Sequence, residues 1–219
     1  MHLESQTFQD GEAIPERFAL GVPRLAFDAM GVPVPVPAGA QPGPNRSPQL
    51  TWTEVPSGTQ SFALTCIDRD APAVQDDVDQ AGRTVPYSLP RTDFVHWLLV
   101  DIPDTFSAFH EGQDADGLTP HGKAARKLPH GLRGLNDFSV RFQDDPQLAG
   151  QYAGYDGPWP PGNDERRHHY IFTVYALDVP TLGLSGPFTL PDAQRAMAGH
   201  ILAESSLHGS YAIYDNTAD

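Results

Sequence analysis

Residues 94–102 read Phe-Val-His-Trp-Leu-Leu-Val-Asp-Ile, a run that is apolar at nearly every position. A strand with one solvent-facing side alternates apolar and polar residues, whereas a strand covered on both faces reads as a continuous apolar run. The stretch therefore predicts a central strand of a sheet that is covered on both sides. The polar His96 inside it must find a polar partner, because burying an unpaired polar group is unfavourable.

Two more segments, Ser61–Ile67 and His169–Leu177, predict strands of the same kind. Both are short apolar runs with β-branched and aromatic residues, and both are bounded by Pro, Gly or Asp. By contrast, residues 103–168 show little regular pattern, and loops of that length inside a compact domain usually carry function. Residues 20–44 are rich in Pro and Gly, which predicts a loop or an edge excursion and not a central strand.

The end of the chain predicts one helix and a final strand. Apolar residues recur at helical spacing over about Asp192–Leu207, with Thr189 or Asp192 as the expected cap and Gly209 as the expected end. A short strand is expected at Tyr211–Tyr214. With no internal repeat and no composition break, the chain predicts a single mostly β domain over residues 1–219.

Composition excludes several classes of function. The formal net charge is −14 over 219 residues, and such a surface repels nucleic acid phosphates and anionic membrane faces. No run approaches the roughly 18 apolar residues of a membrane span. Residues 1–6 lack the basic and apolar regions of a secretory leader, so we expect a cytoplasmic protein. The single cysteine, Cys66, is expected to be a buried structural thiol.

The side chains best suited to binding or catalysis lie at the ends of the three strands. Asp68 and Asp70 follow the first strand, and their spacing places both on one side of an extended chain. His168 and Tyr170 share a face of the third strand, while His169 points the other way. Each residue alone has an ordinary structural explanation, since Asp-x-Asp-Ala-Pro also favours a turn.

One motif predicts little. Residues 117–123 have the spacing Gly-x4-Gly-Lys of a phosphate-binding loop, but Ala124 replaces the hydroxyl residue that would hold magnesium. No apolar strand precedes the motif, and Pro120 interrupts it. A nucleotide site there is disfavoured.

Taken together and in order, these segments resemble the phosphatidylethanolamine-binding protein family, in particular its bacterial and archaeal Raf-kinase-inhibitor-like branch. No single segment is specific, but their shared order is. The matching segments are Asp10-Gly11 with Ile14-Pro15, Asn45–Trp52, Val55–Ser61, Asp68–Pro72, Val95–Trp97 with Asp101–Pro103, Asn136–Phe138, Gly154–Gly162, His168–Tyr170 with Phe172–Asp178, Gly199–Leu202 and Leu207–Tyr211.

The resemblance implies a β-sandwich with a large antiparallel sheet, a smaller second sheet and a C-terminal helix. It also implies a pocket for a small anion, such as phosphate, acetate or a phospholipid headgroup, with no catalytic residue, metal or cofactor. Carried over by motif, the ligand-binding residues are Asp68, Asp70, His96, Pro160, Pro161, His168 and Tyr170. A carboxylate beside an imidazole favours imidazolium, and two imidazolium groups and a tyrosine hydroxyl would then donate to the anion.

The sequence departs from the family pattern at three rim positions and in two insertions. Arg69 stands where proline is usual, Trp159 where bacterial members often have cysteine, and His169 where arginine is usual. The insertions cover roughly Leu20–Pro44 and Arg141–Gln151. Surface decoration is the simpler interpretation of both, and a lid or a homodimer contact is the alternative.

Three functions remain open at this point. The first is a binding module without turnover that regulates or inhibits a protein target such as a kinase or a protease. The second is a metal-dependent hydrolase, because two histidines and one carboxylate resemble a facial metal triad. The third is an interaction scaffold with a vestigial pocket.

Overall fold

The computed structural model describes residues 1–214, apart from the side chains of residues 35, 37 and 38. Two α-helices, α1 (Phe138–Arg141) and α2 (Leu190–Met197), and a 3-10 turn at Glu16–Phe18 accompany the strands. The strands within the described residues are β1 (His2–Glu4), β2 (Gly21–Phe27), β3 (Pro33–Pro42), β4 (Leu50–Thr53), β5 (Ser61–Pro72), β6 (Arg91–Pro103), β7 (Ala108–Phe109), β8 (Lys127–Leu128), β9 (Gly131–Arg133), β10 (His168–Leu177) and β11 (Ile201–Tyr211).

A six-stranded antiparallel sheet in the order β11-β10-β5-β6-β9-β8 forms the centre of the fold. The three predicted strands are confirmed as its long inner strands β10, β5 and β6, and each extends beyond the predicted bounds at one or both ends. Cross-strand pairs such as Phe172 with Cys66 and Cys66 with Trp97 continue the ladder from one strand to the next. The long apolar runs are explained by this position, because inner strands are covered on both faces.

The two faces of the large sheet pack against different partners. On one face Phe62, Leu64 and Cys66 join a cluster with Leu50 and Trp52 of the three-stranded sheet β1-β4-β7. The other face carries a second cluster in which α2 contributes Ala193 and Met197. A large sheet, a smaller sheet and a C-terminal helix are therefore confirmed, and Cys66 is buried as expected.

The C-terminal prediction was wrong in its bounds. Thr189 is the N-cap of α2, and its backbone N–H donates to the Asp192 carboxylate, but the helix already ends at Met197. Gly199 follows with a φ of +83°, a left-handed conformation that ends a helix. Residues 201–211 then pair along the open edge of β10. This ladder satisfies their backbone groups, so the predicted last strand at Tyr211–Tyr214 begins ten residues earlier and ends at Tyr211.

Residues 20–44 form the β2-β3 hairpin, a separate two-stranded sheet that agrees with the prediction of no central strand here. The Tyr211 hydroxyl donates to the carbonyl of Gly21 at 3.0 Å and so fixes the base of the hairpin. A Cβ on Gly21 would lie within 2.5 Å of the Trp159 ring. The hairpin base therefore packs directly on Trp159.

Phenylalanines at two contrasting positions test this core. Phe172 is fully buried in β10, whereas Phe27 is 73% exposed in β2. We expect Phe172→Ala to lower the free energy of unfolding by about 3–5 kcal/mol, because a cavity replaces buried contacts. Phe27→Ala should change it by less than about 0.5 kcal/mol. Urea denaturation measures both, and similar losses for the two variants would contradict this account of the core.

Candidate functional site

A cavity of about 150 Å³ opens beside the ends of β5, β6 and β10. The structure brings five of the predicted residues to its lining, namely Asp68, His96, Pro160, Pro161 and His168. Asp68 and His168 lie on neighbouring antiparallel strands, which places the start of β10 beside the second half of β5. The polar end of the cavity is thus set by strand register and not by a single motif.

His168 lies between two carboxylates at this polar end. Its Nδ1 is 2.6 Å from Asp68 Oδ2, and its Nε2 is 3.2 Å from Asp164 Oδ2. Asp164 also accepts two hydrogen bonds from the Arg91 guanidinium, at 2.5 and 2.9 Å. All four side chains are almost completely buried. Two carboxylates therefore share two buried cations, and every charge in the group has a partner.

The charge of His168 follows from these partners. Burial lowers the pKa of an imidazole, but the charge of Asp68 and the hydrogen bonds that the ring donates to Asp164 and Asp68 outweigh burial and raise the pKa of His168 to about 9. Burial likewise raises the pKa of Asp164, while His168 and Arg91 bring it below its usual value. At neutral pH His168 is an imidazolium, and both of its N–H groups donate to protein carboxylates, whereas the resemblance implied that they donate to a bound anion.

His96 differs from the prediction of a second imidazolium. Its Nδ1 lies 2.8 Å from the carbonyl oxygen of Asp156 and 3.1 Å from that of Gly157, so Nδ1 carries the proton. Burial is the largest effect on this ring and lowers its pKa despite the charge of Asp68. His96 is therefore neutral at pH 7, and its Nε2 is a hydrogen-bond acceptor. Among the described residues no group is bonded to that atom.

A β-bulge in β6 orients the His96 ring toward the cavity. Cys66 pairs with Trp97 and Ile67 pairs with Val95, so His96 is the extra residue of β6 at this point of the ladder. A bulge reorients one side chain without ending the strand. The sequence carries no signal for it, because apolar residues flank His96 on both sides.

A buried polar cluster fixes the loop that receives His96 Nδ1. The Asp156 carboxylate accepts hydrogen bonds from Asn45 at 2.9 Å, Asn136 at 2.8 Å and the Lys123 ammonium at 2.6 Å. Held in this way, the Asp156 carbonyl keeps the tautomer of His96 constant. Lys123 of the Gly-x4-Gly-Lys motif is thus buried in an ion pair, which agrees with the sequence-based rejection of a nucleotide loop.

The geometry does not bring Asp70 to the cavity. Another register shift lies between Asp68 and Ala71, so the two aspartates do not share a side as the simple alternation predicted. The Asp70 carboxylate instead binds the His169 backbone N–H and ring at 3.0 and 2.8 Å, and the Arg166 guanidinium at 3.1 Å. Burial raises the pKa of Asp70, but the hydrogen bonds from His169 and Arg166 lower it overall. Asp70 therefore holds the exposed residue His169 of β10 and the preceding loop residue Arg166, outside the cavity.

Tyr170 also lies outside the cavity lining. The residue is fully buried, its hydroxyl has no hydrogen-bond partner among the described groups, and burial raises its pKa well above the usual value. Its ring contacts the ring of His96 edge to face, with centroids 5.1 Å apart. Tyr170 therefore packs against the His96 ring outside the cavity and is not placed to donate to a ligand there.

The apolar end of the cavity contains residues that sequence reasoning did not single out as ligand contacts. Phe94 precedes His96 on β6, Phe138 and Phe142 lie on and after α1, and Trp159 precedes the two prolines. Leu148 of the 141–151 insertion completes this end. Trp159 was recognised only as a departure from the family pattern, and the others gave no signal because aromatic residues far apart in sequence meet only in the folded chain.

Comparison with known proteins agrees with this architecture. The sequence profile of the family described as phosphatidylethanolamine-binding protein matches residues 4–212. The fold and the strand-end pocket define a mostly β protein with a small buried polar site. The chain belongs to the phosphatidylethanolamine-binding protein family.

Individual relatives are similar over their whole length. A UPF0098 protein of Methanothermobacter thermautotrophicus is 29% identical over 96% of this chain and 98% of its own. The UPF0098 protein YbhB of Escherichia coli is 28% identical over 97% of this chain and 100% of its own. The solved structure of E. coli YbcL, described as a member of the mammalian PEBP family, matches with a TM-score of 0.62 and 25% identity over 97% of this chain and 98% of that one.

A second solved structure, the PEBP homologue CT736 of Chlamydia trachomatis, matches with a TM-score of 0.60 and 25% identity over 96% of this chain and 95% of that one.

Within residues 1–214, neither α-helix has the length and apolar character needed to span a lipid bilayer.

The raised pKa of His168 predicts a pH-dependent contribution to stability. A group whose folded pKa of about 9 exceeds its ordinary 6.5 stabilises the fold fully below pH 6.5, and the contribution is lost as pH rises through 9. That difference corresponds to about 3 kcal/mol. We expect His168→Gln to lower the free energy of unfolding by about 3–5 kcal/mol at pH 6, because Asp68 keeps a buried charge without its cation.

At pH 10 the same substitution should cost much less, because the wild-type imidazole has lost its proton. Urea denaturation at the two pH values measures the change. His169→Gln is the matched control, since the neighbouring ring is 62% exposed. A His168→Gln cost that does not change between pH 6 and pH 10 would contradict the imidazolium assignment.

Proposed function

We propose that this protein binds a small oxyanion, a phosphate or carboxylate group either free or as part of a phospholipid headgroup, without chemical turnover. The observation that carries the proposal is His96 Nε2. This atom belongs to an almost completely buried ring that lines the cavity. The other ring nitrogen, Nδ1, donates its proton to two carbonyl oxygens, which fixes the orientation of the ring. A ligand oxygen is the partner that the free edge of the ring accommodates.

A hydrogen bond between Nε2 and an oxyanion requires one proton. Either His96 takes up a proton when the anion enters, or the ligand brings its own, as a singly protonated phosphate does. An anion beside the ring favours the imidazolium form, which reverses the effect of burial that keeps the empty site neutral. The complex therefore holds one proton more than the separated neutral histidine and unprotonated anion.

The surrounding charges permit an anion despite the acidic chain. Asp68 and Asp164 are neutralised by His168 and Arg91 at hydrogen-bond distance. Asp79 at the cavity lining lies 3.9 Å from the Arg141 guanidinium. The local charge is balanced before a ligand enters, and the distant negative surface is screened within about 10 Å at ordinary ionic strength.

The metal-dependent hydrolase is less well supported by the same geometry. A metal ligand must offer a lone pair, but both nitrogens of His168 face protein carboxylates within 3.2 Å. Removing the His168 proton would leave Asp68 and Asp164 with a single neighbouring cation, Arg91. A facial triad of His96, His168 and Asp68 thus requires the buried charge group to be dismantled.

Regulation of a kinase or a protease, an interaction scaffold, a homodimer and a cytoplasmic location stay predictions from sequence. They concern partners and surroundings, whereas the proposal rests only on groups inside the cavity.

Calorimetric titration with inorganic phosphate tests the proposal. We expect the affinity of the wild-type protein to fall as pH rises from 5.5 to 8, because the complex takes up a proton. His96→Asn should weaken binding by about 10-fold to 100-fold, since a charge-assisted hydrogen bond is lost. Asparagine suits this test because its side-chain amide can still donate to the Asp156 carbonyl in place of Nδ1.

His208→Asn is the matched control, because the His208 side chain is exposed, pairs with Asp10 and does not line the cavity. Its phosphate affinity should equal that of the wild-type protein. Binding that is independent of pH and unchanged in His96→Asn would show that the anion is held elsewhere. An unchanged melting temperature without phosphate establishes that His96→Asn is folded.

A further inference from the structure

The 141–151 insertion builds one wall of the cavity, which its sequence alone did not reveal. Phe142 and Leu148 from this insertion line the cavity together with Trp159. Phe138 and Phe142 stack with centroids 5.2 Å apart, and Phe142 meets Trp159 edge to face at 6.1 Å. Phe94 meets Phe138 edge to face with ring centroids 5.0 Å apart. A continuous aromatic surface thus faces the same space as His96.

This wall is fixed in place by hydrogen bonds behind it. The Tyr152 hydroxyl donates to the Leu148 carbonyl at 2.7 Å, and the Tyr152 ring packs on Phe142 with centroids 5.3 Å apart. Ser139 Oγ accepts from the Tyr152 backbone N–H at 2.9 Å and so ties the end of the insertion to α1. The aromatic surface is therefore formed before any ligand arrives, and binding need not order it.

The size of the cavity limits the apolar part of a ligand. Its volume, polar end included, is about 150 Å³, on the order of a cavity that accommodates benzene, so no apolar group larger than one ring fits. A bare phosphate bonded to His96 would leave the aromatic wall in contact with water. A ligand with one apolar group of ring size would remove that wall from water, which is favourable in proportion to the area covered.

The rim of the cavity argues against a long hydrocarbon chain. Gln75, Asp79 and Arg141 belong to the lining, and the last two lie 3.9 Å apart as a charged pair. An acyl chain that extended past the aromatic wall would have to cross these polar groups. The apolar space is therefore limited to about one ring.

We propose that the preferred ligand is an oxyanion that carries a single aromatic group, such as an aryl phosphate or an aryl carboxylate. The inference rests on the proposed anion site at His96 and adds the aromatic wall as the determinant of specificity. The oxyanion lies at His96, and the ring lies against Phe142 and Trp159. Edge-to-face contacts favour an aromatic ring over an aliphatic group of equal size.

Two pairs of probes test the inference by calorimetry on the full chain. We expect phenyl phosphate to bind about 10-fold to 100-fold more tightly than inorganic phosphate, and benzoate to exceed acetate by a similar factor. Phe142→Ala should reduce both ratios several-fold, because it removes part of the wall against which the aromatic ring of the ligand lies. Trp159→Leu gives a second variant that keeps an apolar residue at the hairpin base.

Val140→Ala is the matched control, since Val140 is exposed on α1, two residues from Phe142, and does not line the cavity. Its ratios should equal those of the wild-type protein. Equal affinities for phenyl phosphate and inorganic phosphate would overturn this inference and leave the anion site intact. Binding of neither phosphate would overturn the anion site itself, and this inference with it. Ratios unchanged in both wall variants would place the ring elsewhere and also overturn the inference.

Discussion

Two carboxylates, Asp68 and Asp164, hold the His168 imidazolium between them, and Arg91 completes the group from β6. Burying four ionised side chains is costly, and it is tolerated here because each has a partner at hydrogen-bond distance. The group connects the starts of β6 and β10 and the second half of β5 to the loop before β10. Because both ring nitrogens of His168 are occupied within this group, our proposal assigns the ligand contact to His96.

The contrast between the two histidines determines what the cavity can do. His168 is charged because carboxylates surround it, and His96 is neutral because burial and two carbonyl partners outweigh the charge of Asp68. A polar cluster around the Asp156 carboxylate keeps those carbonyls in place. His96 Nε2, which has no hydrogen-bond partner among residues 1–214, thus lines a partly aromatic space, and this is the arrangement on which the proposed binding function rests.

The inner strands could be predicted because residues 61–67, 94–102 and 169–177 are continuous apolar runs. The C-terminal helix was overextended because Ile201 and Leu207 lie by coincidence at helical spacing, whereas the open edge of β10 decides their structure. Motif order predicted five of the cavity residues. The placement of Asp70 outside the cavity and the orientation of the His96 ring could not be predicted, since each depends on a bulge in the ladder between β5 and β6. Asp164 was missed because a single aspartate in a loop carries no signal.

The central claim is that His96 receives the ligand through a single unprotonated Nε2, and nitrogen-15 NMR of the imidazole rings tests it directly. In the free protein at pH 7 the account predicts a neutral His96 with the proton on Nδ1 and a doubly protonated His168. Adding phosphate should shift the Nε2 resonance of His96 toward that of a protonated or hydrogen-bonded nitrogen, while His168 stays constant. A His96 that is already doubly protonated in the free protein, or whose Nε2 resonance phosphate leaves unmoved, would contradict the account.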